Sequence, residues 1–126
     1  MLKIEITPPK FSNIDINKAL VRSCLLVEET AKEKCPVDTG TLKRSITTDI
    51  KGNVGEVGTN LSYSPFVEFG TGIYNAEGRK TPWSYQTPDG QWHTTRGNRP
   101  QPFLGPALIE NQKKIVDIFK EEIKKG

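Results

Sequence analysis

The chain has 126 residues, with 18 Lys and Arg against 15 Asp and Glu for a formal charge of +3, and a hydrophobic fraction of 34% beside 26% charged residues. That length fits one domain with a modest core and much exposed loop, and the charges are too evenly mixed to demand a nucleic-acid partner. Two cysteines, Cys24 and Cys35, and one histidine, His93, are too few for a structural zinc site, and two cysteines do not make a disulfide framework. No stretch approaches the roughly 20 apolar residues of a membrane span, and MLKIEITPPK lacks the apolar run of a signal peptide, so synthesis in the cytosol with reduced thiols is expected.

In chain order, LKIEI predicts a short strand stopped by Pro8 and Pro9. Ile16, Ala19, Leu20, Cys24, Val27 and Ala31 then recur at helical spacing, with Lys18, Arg22, Glu29, Lys32 and Glu33 on the other side. This predicts an amphipathic helix capped by Ser12 or Asn13, with Asp15 completing a box-like pattern, and ended by Pro36. After Asp38-Thr39-Gly40, Leu42 to Arg44 suggest one helical turn, and Ile46, Thr48 and Ile50 alternate as a half-buried strand. Gly52-Asn53 reverses the chain, and Val54 to Thr59 should return as a twisted or bulged partner strand carrying Gly55 and Gly58. Tyr63 to Gly70 fits one or two helical turns, with Pro65 near the start and Gly70 at the end.

Residues 71–102 are rich in Gly, Pro, Thr, Asn and aromatics and cannot build a core alone. Within them, Trp83-Ser84-Tyr85-Gln86 and Gln91-Trp92-His93-Thr94 flank the turn Thr87-Pro88-Asp89-Gly90, which predicts a second, protruding hairpin. From Gly105-Pro106 to Lys125 the pattern is again helical, with Leu108, Ile115, Ile118, Phe119 and Ile123 on one side and Pro106 at the first helical position. Its other side mixes five Lys with four acidic residues from position 110 onward, which suits solvent better than an anionic membrane.

Several short patterns invite a chemical reading. Asp38-Thr39-Gly40 is the tripeptide of aspartic proteases, and one copy is compatible with a dimeric enzyme of that kind. Its surroundings disagree, because it follows a helix and a Cys-Pro break instead of an apolar strand; Asp38 is expected to cap the next turn and Gly40 to supply special dihedrals. GIYNAEGRKT has one residue too many for a phosphate-binding P-loop and no apolar strand leading into it. His93 has no Ser or Cys in a recognisable elbow beside it and reads as a solvent-facing hairpin residue. Trp83, Tyr85, Trp92 and Arg96 interleave aromatic and basic groups as a single-stranded nucleic-acid platform would. The same rings could pack across the hairpin or anchor a protein contact, and the last is favoured because exposed Trp and Tyr need a partner to cover them.

Three segments together carry a resemblance: Asp38-Thr-Gly-Thr-Leu-Lys-Arg-Ser45; Val57-Gly-Thr-Asn with Tyr63 and Phe66-Val-Glu-Phe-Gly-Thr-Gly72; and Pro100-Gln-Pro-Phe-Leu-Gly-Pro-Ala-Leu108. In order and combination, over roughly positions 20 to 120, they resemble the neck or minor tail-component family of long, non-contractile-tailed bacteriophages and prophages, often labelled head-tail joining or tail completion. The resemblance implies a structural virion protein, made in the host cytoplasm, without catalytic residues, cofactors, a membrane partner or a small-molecule substrate. It also implies assembly with itself as a ring, expected to be a hexamer, contacts with neighbouring neck or tail proteins, and passive contact with phage DNA in the channel. Asp38, Thr39 and Gly40 would then be a structural turn, and the candidate subunit interface is Tyr74, Trp83, Tyr85 and Trp92.

These readings combine into one α+β domain over residues 1–126. Its small antiparallel sheet, from about 45 to 60 with the hairpin near 83 to 94, packs against two long helices near 13–34 and 106–124.

Overall fold

The computed structural model describes residues 2–8, 16–36, 40–75 and 77–125. The fold is α+β. Strand β1 (Leu2–Ile6) is followed by helix α1 (Ile16–Lys34), the short α2 (Thr41–Ser45), the hairpin β2 (Thr47–Lys51) and β3 (Val54–Thr59), and α3 (Ser64–Phe69). A single 3-10 turn (Gly72–Tyr74), the hairpin β4 (Trp83–Gln86) and β5 (Trp92–Thr95), and helices α4 (Leu104–Glu110) and α5 (Gln112–Lys125) complete the chain.

The main sheet has the order β1-β3-β2 with both pairings antiparallel, so the N-terminal strand joins the hairpin foreseen near 45–60 as a third strand. β4 and β5 pair only with each other. The register is continuous from Thr47↔Gly58 to Lys51↔Val54 and from Leu2↔Thr59 to Ile6↔Gly55, so of the twist or bulge expected in β3 the bulge is not there. Gly55 serves another purpose. A side-chain carbon at that position would overlap the Cys24 sulfur and crowd Leu20, so the missing side chain lets α1 lie directly on β3.

The buried face of α1 is the stripe read from the sequence: Ala19, Leu20, Cys24, Val27 and Ala31 pack with Val57, Ile46 and Leu42 and with Phe103, Leu104 and Ala107 of the C-terminal segment. Both cysteines are free and buried. Burial pushes the Cys24 thiol up to about 11, with Glu28 adding to the effect, and burial also raises Cys35. Raised in this way, neither sulfur is a ready nucleophile. Ser12, Asn13 and Asp15, the expected cap of α1, lie outside the described residues.

The C-terminal segment departs from the single helix expected from Pro106 onward. It starts at Leu104, and it breaks at Asn111 (φ −98°, ψ 5°) into α4 and α5. The break has a polar cause. The Asn111 side chain is buried and its Nδ2 donates to Thr30 Oγ1 of α1 at 2.9 Å and to the Ala107 carbonyl at 2.8 Å, while the Asn111 backbone carbonyl accepts the Ile115 N–H at 2.9 Å. An Asn that bonds the backbone of its own helix competes with continued winding, and here its second partner is on another helix. Arg22 reaches Glu122 at 2.7 Å and Glu121 at 3.0 Å, and Lys34 reaches Glu110 at 2.7 Å, so the C-terminal helices run antiparallel to α1. α1 carries the contact with the sheet, and α5 packs mainly on α1.

Candidate assembly surface

Helix α3 is built inside out. It opens at Ser64, whose hydroxyl donates to the Leu61 carbonyl at 2.7 Å, takes Pro65 in its first turn, and closes at Gly70, whose N–H returns to Phe66 at 3.0 Å. Its buried side chains are Ser64 and Glu68, the latter only 7% exposed, whereas Phe66 and Phe69 are 58% and 55% exposed. A buried polar residue beside an exposed apolar one is the informative reversal of ordinary packing.

The Glu68 carboxylate explains half of the reversal. Oε1 accepts the N–H groups of Phe103 and Leu104, both at 2.9 Å, and Oε2 accepts that of Gly105 at 3.2 Å. These are the N–H groups that the first turn of α4 leaves without helical partners, so a side chain distant in sequence caps that helix. The same region is stitched along its backbone: Gln101 donates to Val67 at 2.8 Å, Thr71 to Asn98 at 2.9 Å and Ile73 to Arg96 at 3.0 Å. Gly72 and Gly97, both at positive φ, pass so closely that a side chain on Gly72 would overlap the Arg96 carbonyl. The long 71–102 segment is thus tied shut at its base.

The other half of the reversal is an exposed ridge. Tyr63, Phe66, Phe69, Ile73 and Tyr74 are all at least 40% exposed and follow one another along α3 and the 3-10 turn. A depression of about 420 Å³ lies on one side of Phe66, reaching Arg79 and Trp83 at the foot of the β4–β5 arm. A second, of about 450 Å³, lies between Tyr63 and Phe66 and reaches Arg99. Arg99 sits 5.4 Å above the Tyr74 ring and Arg79 sits 5.9 Å from that of Trp83.

The arm forms the hairpin expected from its turn, closed by Gly90 at φ 86°. Its register pairs Trp83 with Thr95, Tyr85 with His93 and Gln86 with Trp92. Residues opposite one another share a face and successive residues alternate, so Trp83 and Tyr85 share one face while Trp92 occupies the other. Tyr85 stacks on His93 at 5.3 Å, and Ser84 bonds Thr94 at 3.0 Å on the Trp92 face. The aromatic residues read as one group therefore divide: Trp83 lies beside α3, Tyr85 stacks on His93 while staying exposed, and Trp92, 68% exposed, projects from the far face. The continuous stacking platform of Trp83, Tyr85 and Trp92 that single strands would need is not formed.

Of the Asp-Thr-Gly turn, Asp38 and Thr39 lie outside the described residues. Gly40 stands at φ 73° at the head of α2, where its carbonyl accepts the Arg44 N–H at 3.0 Å. Ser45, at the end of the same segment, donates to the Leu42 carbonyl at 2.6 Å and bonds Thr59 Oγ1 at 2.6 Å; Thr59 in turn accepts the Leu61 N–H at 3.2 Å. The three sequence segments that carry the resemblance are consequently joined in space, the first two through Ser45 and Thr59 and the last two through Glu68.

Among the described residues no group of His, Cys, Asp and Glu is placed to hold a metal ion, and no helix is long and apolar enough to cross a membrane. The perturbed carboxylates are shifted downward by partners: Glu56 by Lys3 and then Lys51, Asp89 by Thr87 and Gln91, and Glu110 by Lys34. Downward shifts describe carboxylates held ionised, not acids or bases poised near neutrality.

In this α+β fold two buried polar side chains, Ser64 and Glu68, orient an exposed aromatic ridge. The family model described as "Bacteriophage HK97-gp10, putative tail-component" matches residues 8–70, half of the chain, and the chain belongs to this HK97-gp10-like family. The matched residues run through α1, the β2–β3 hairpin and α3, and they end at Gly70, so the arm lies beyond them. Comparison with curated proteins and with solved structures gave no significant match.

Proposed function

We propose that this tail-component family member is a non-enzymatic structural subunit of the head-tail junction of a long-tailed phage or prophage. In this reading the chain is one domain that assembles as a ring with copies of itself, taken as a hexamer, and docks on neighbouring neck or tail proteins. It is made in the host cytoplasm, ends in the virion, and touches DNA only passively.

The observation that carries the reading is the polarity of α3. Evenly exposed Phe66 and Phe69 on a helix whose Ser64 and Glu68 are buried would be a needless liability for a free monomer, and it is what a subunit covered by a neighbour needs. The family supports the phage setting. The test is the solution mass by light scattering of the wild-type chain and of Phe66→Asp/Phe69→Asp. The wild type is expected to reach a multiple of the single-subunit mass, and the double variant to remain at one subunit with an unchanged melting temperature. A double variant that assembles like the wild type overturns the reading.

A further inference from the structure

Among the described residues, a socket and a knob are left uncovered and complement each other. The first is the depression between Tyr63 and Phe66, also lined by Val67, Asn98, Arg99 and Gln101, with a volume of about 450 Å³. Arg99 is the one charged side chain among the described residues that line it. The second is the tip of the arm, where Trp92 is 68% exposed, matched among the described large apolar residues by Ile109 alone, and Asp89 is the one acidic residue between Trp83 and Thr95. The Thr87 hydroxyl and the Gln91 N–H both donate to Asp89, which fixes its carboxylate at the turn and holds it ionised.

We infer that the arm tip of one copy seats in the Tyr63–Phe66 depression of the next, with Trp92 entering beside Phe66 and Asp89 facing Arg99. The inference rests on the assembly reading above and names the contact that would build it.

Four observations support it. The charges are opposite, an isolated acid on the tip and an isolated guanidinium in the depression. Trp92 is too exposed to be seated in its own chain's depression, so the occupant comes from elsewhere. Both β4 and β5 expose nearly every side chain, and a two-stranded hairpin of that kind is marginal unless something covers it. Finally, knob and socket are different patches of one surface, which makes the contact heterologous; such contacts repeat head to tail and close into rings when the rotation permits.

A mixing experiment with full-length chains tests this. Trp92→Ala removes the knob and leaves the socket; Phe66→Asp spoils the socket and leaves the knob. Both side chains are exposed, so each variant should melt within about 2 °C of the wild type. Wild type should assemble beyond two subunits, and each variant alone should stay at one. An equal mixture should reach two subunits and no more, because only one intact knob and one intact socket can meet. The contact is overturned if either variant keeps the wild-type mass or if the mixture stays at one subunit. Wild type that remains at one subunit up to about 1 mM, the weak end of measurable association, sinks the ring reading and the contact together. Wild type that assembles while the variants behave as it does sinks the contact alone.

Discussion

Removing the buried Glu68 carboxylate should cost more than changing any surface-facing side chain of α3. In Glu68→Ala the N–H groups of Phe103 and Leu104 lose their acceptor inside the fold, and that of Gly105 loses it at the edge. A buried donor left without a partner costs about 1–3 kcal/mol, and a lost helix cap alone about 1 kcal/mol. With two buried donors, a third that water can reach, and some relaxation, the loss comes to about 3–5 kcal/mol, a large part of the roughly 5–15 kcal/mol that holds a domain together. Glu68→Gln separates bonding from packing: one oxygen can still serve Phe103 and Leu104, but an amide NH2 then faces the Gly105 donor, for a loss of about 1.5–3 kcal/mol. Urea unfolding of the three proteins measures both differences, and hydrogen exchange at residues 103–105 shows whether the loss sits at the cap. Alanine costing less than about 1 kcal/mol, or costing no more than glutamine, would refute the capping argument.

Ser23 offers the opposite sign: its hydroxyl is fully buried on α1 without a partner among the described residues, so Ser23→Ala should gain about 1 kcal/mol and raise the melting temperature by about 3–5 °C. Gly55→Val should cost at least about 3 kcal/mol by chemical denaturation, since its side chain would overlap Cys24 and crowd Leu20; in the milder Gly55→Ala, adding Cys24→Ala should restore part of the loss. Glu56, bound by Lys3 at 2.7 Å and Lys51 at 3.4 Å, has a folded pKa below its ordinary 4.5. Its contribution is therefore present above that ordinary value and lost as pH falls through the depressed folded one, and Glu56→Gln should flatten the acid limb of a stability-against-pH curve below about pH 5.

The sequence made much of the fold legible because the relevant signals are local. The stripe Ala19, Leu20, Cys24, Val27 and Ala31 has helical spacing, Thr87-Pro88-Asp89-Gly90 is a turn by composition, and both appear as expected. Long-range facts were not legible. Pairing of β1 with β3 depends on a strand about fifty residues away, and the stop at Asn111 depends on Thr30 lying opposite it. Gly55, read with Gly58 as the mark of a twisted or bulged strand, shows the limit: a strand glycine signals either a bulge or a close approach, and only the position of α1 decides between them. Of the interface residues chosen from sequence, Tyr74 lies on the ridge and Trp83, Tyr85 and Trp92 in the arm; Phe66 and Phe69 were passed over because a Phe in a short helix is ordinarily core, and nothing local in Ser-Pro-Phe-Val-Glu-Phe says that Glu faces in and Phe faces out. The one usable hint was Glu68 itself, an acid between Val67 and Phe69 in a helix too short to have a wide polar face.

That hint also explains why the reversal is stable. The rotation of a six-residue helix is not fixed by its own hydrogen bonds, so something outside must choose which side faces the core. Three charge-assisted bonds from Glu68 to the start of α4 make that choice, and Ser64 bonded to Leu61 holds the other end. With both polar side chains anchored inward, helical geometry leaves Phe66 and Phe69, three residues apart, pointing outward together. The exposed ridge is thus maintained by α4, which α1 in turn holds through Asn111 and Lys34. A neighbour that covers Phe66 gains apolar burial without first having to order the surface it binds, which is the advantage of a preformed site in any assembly.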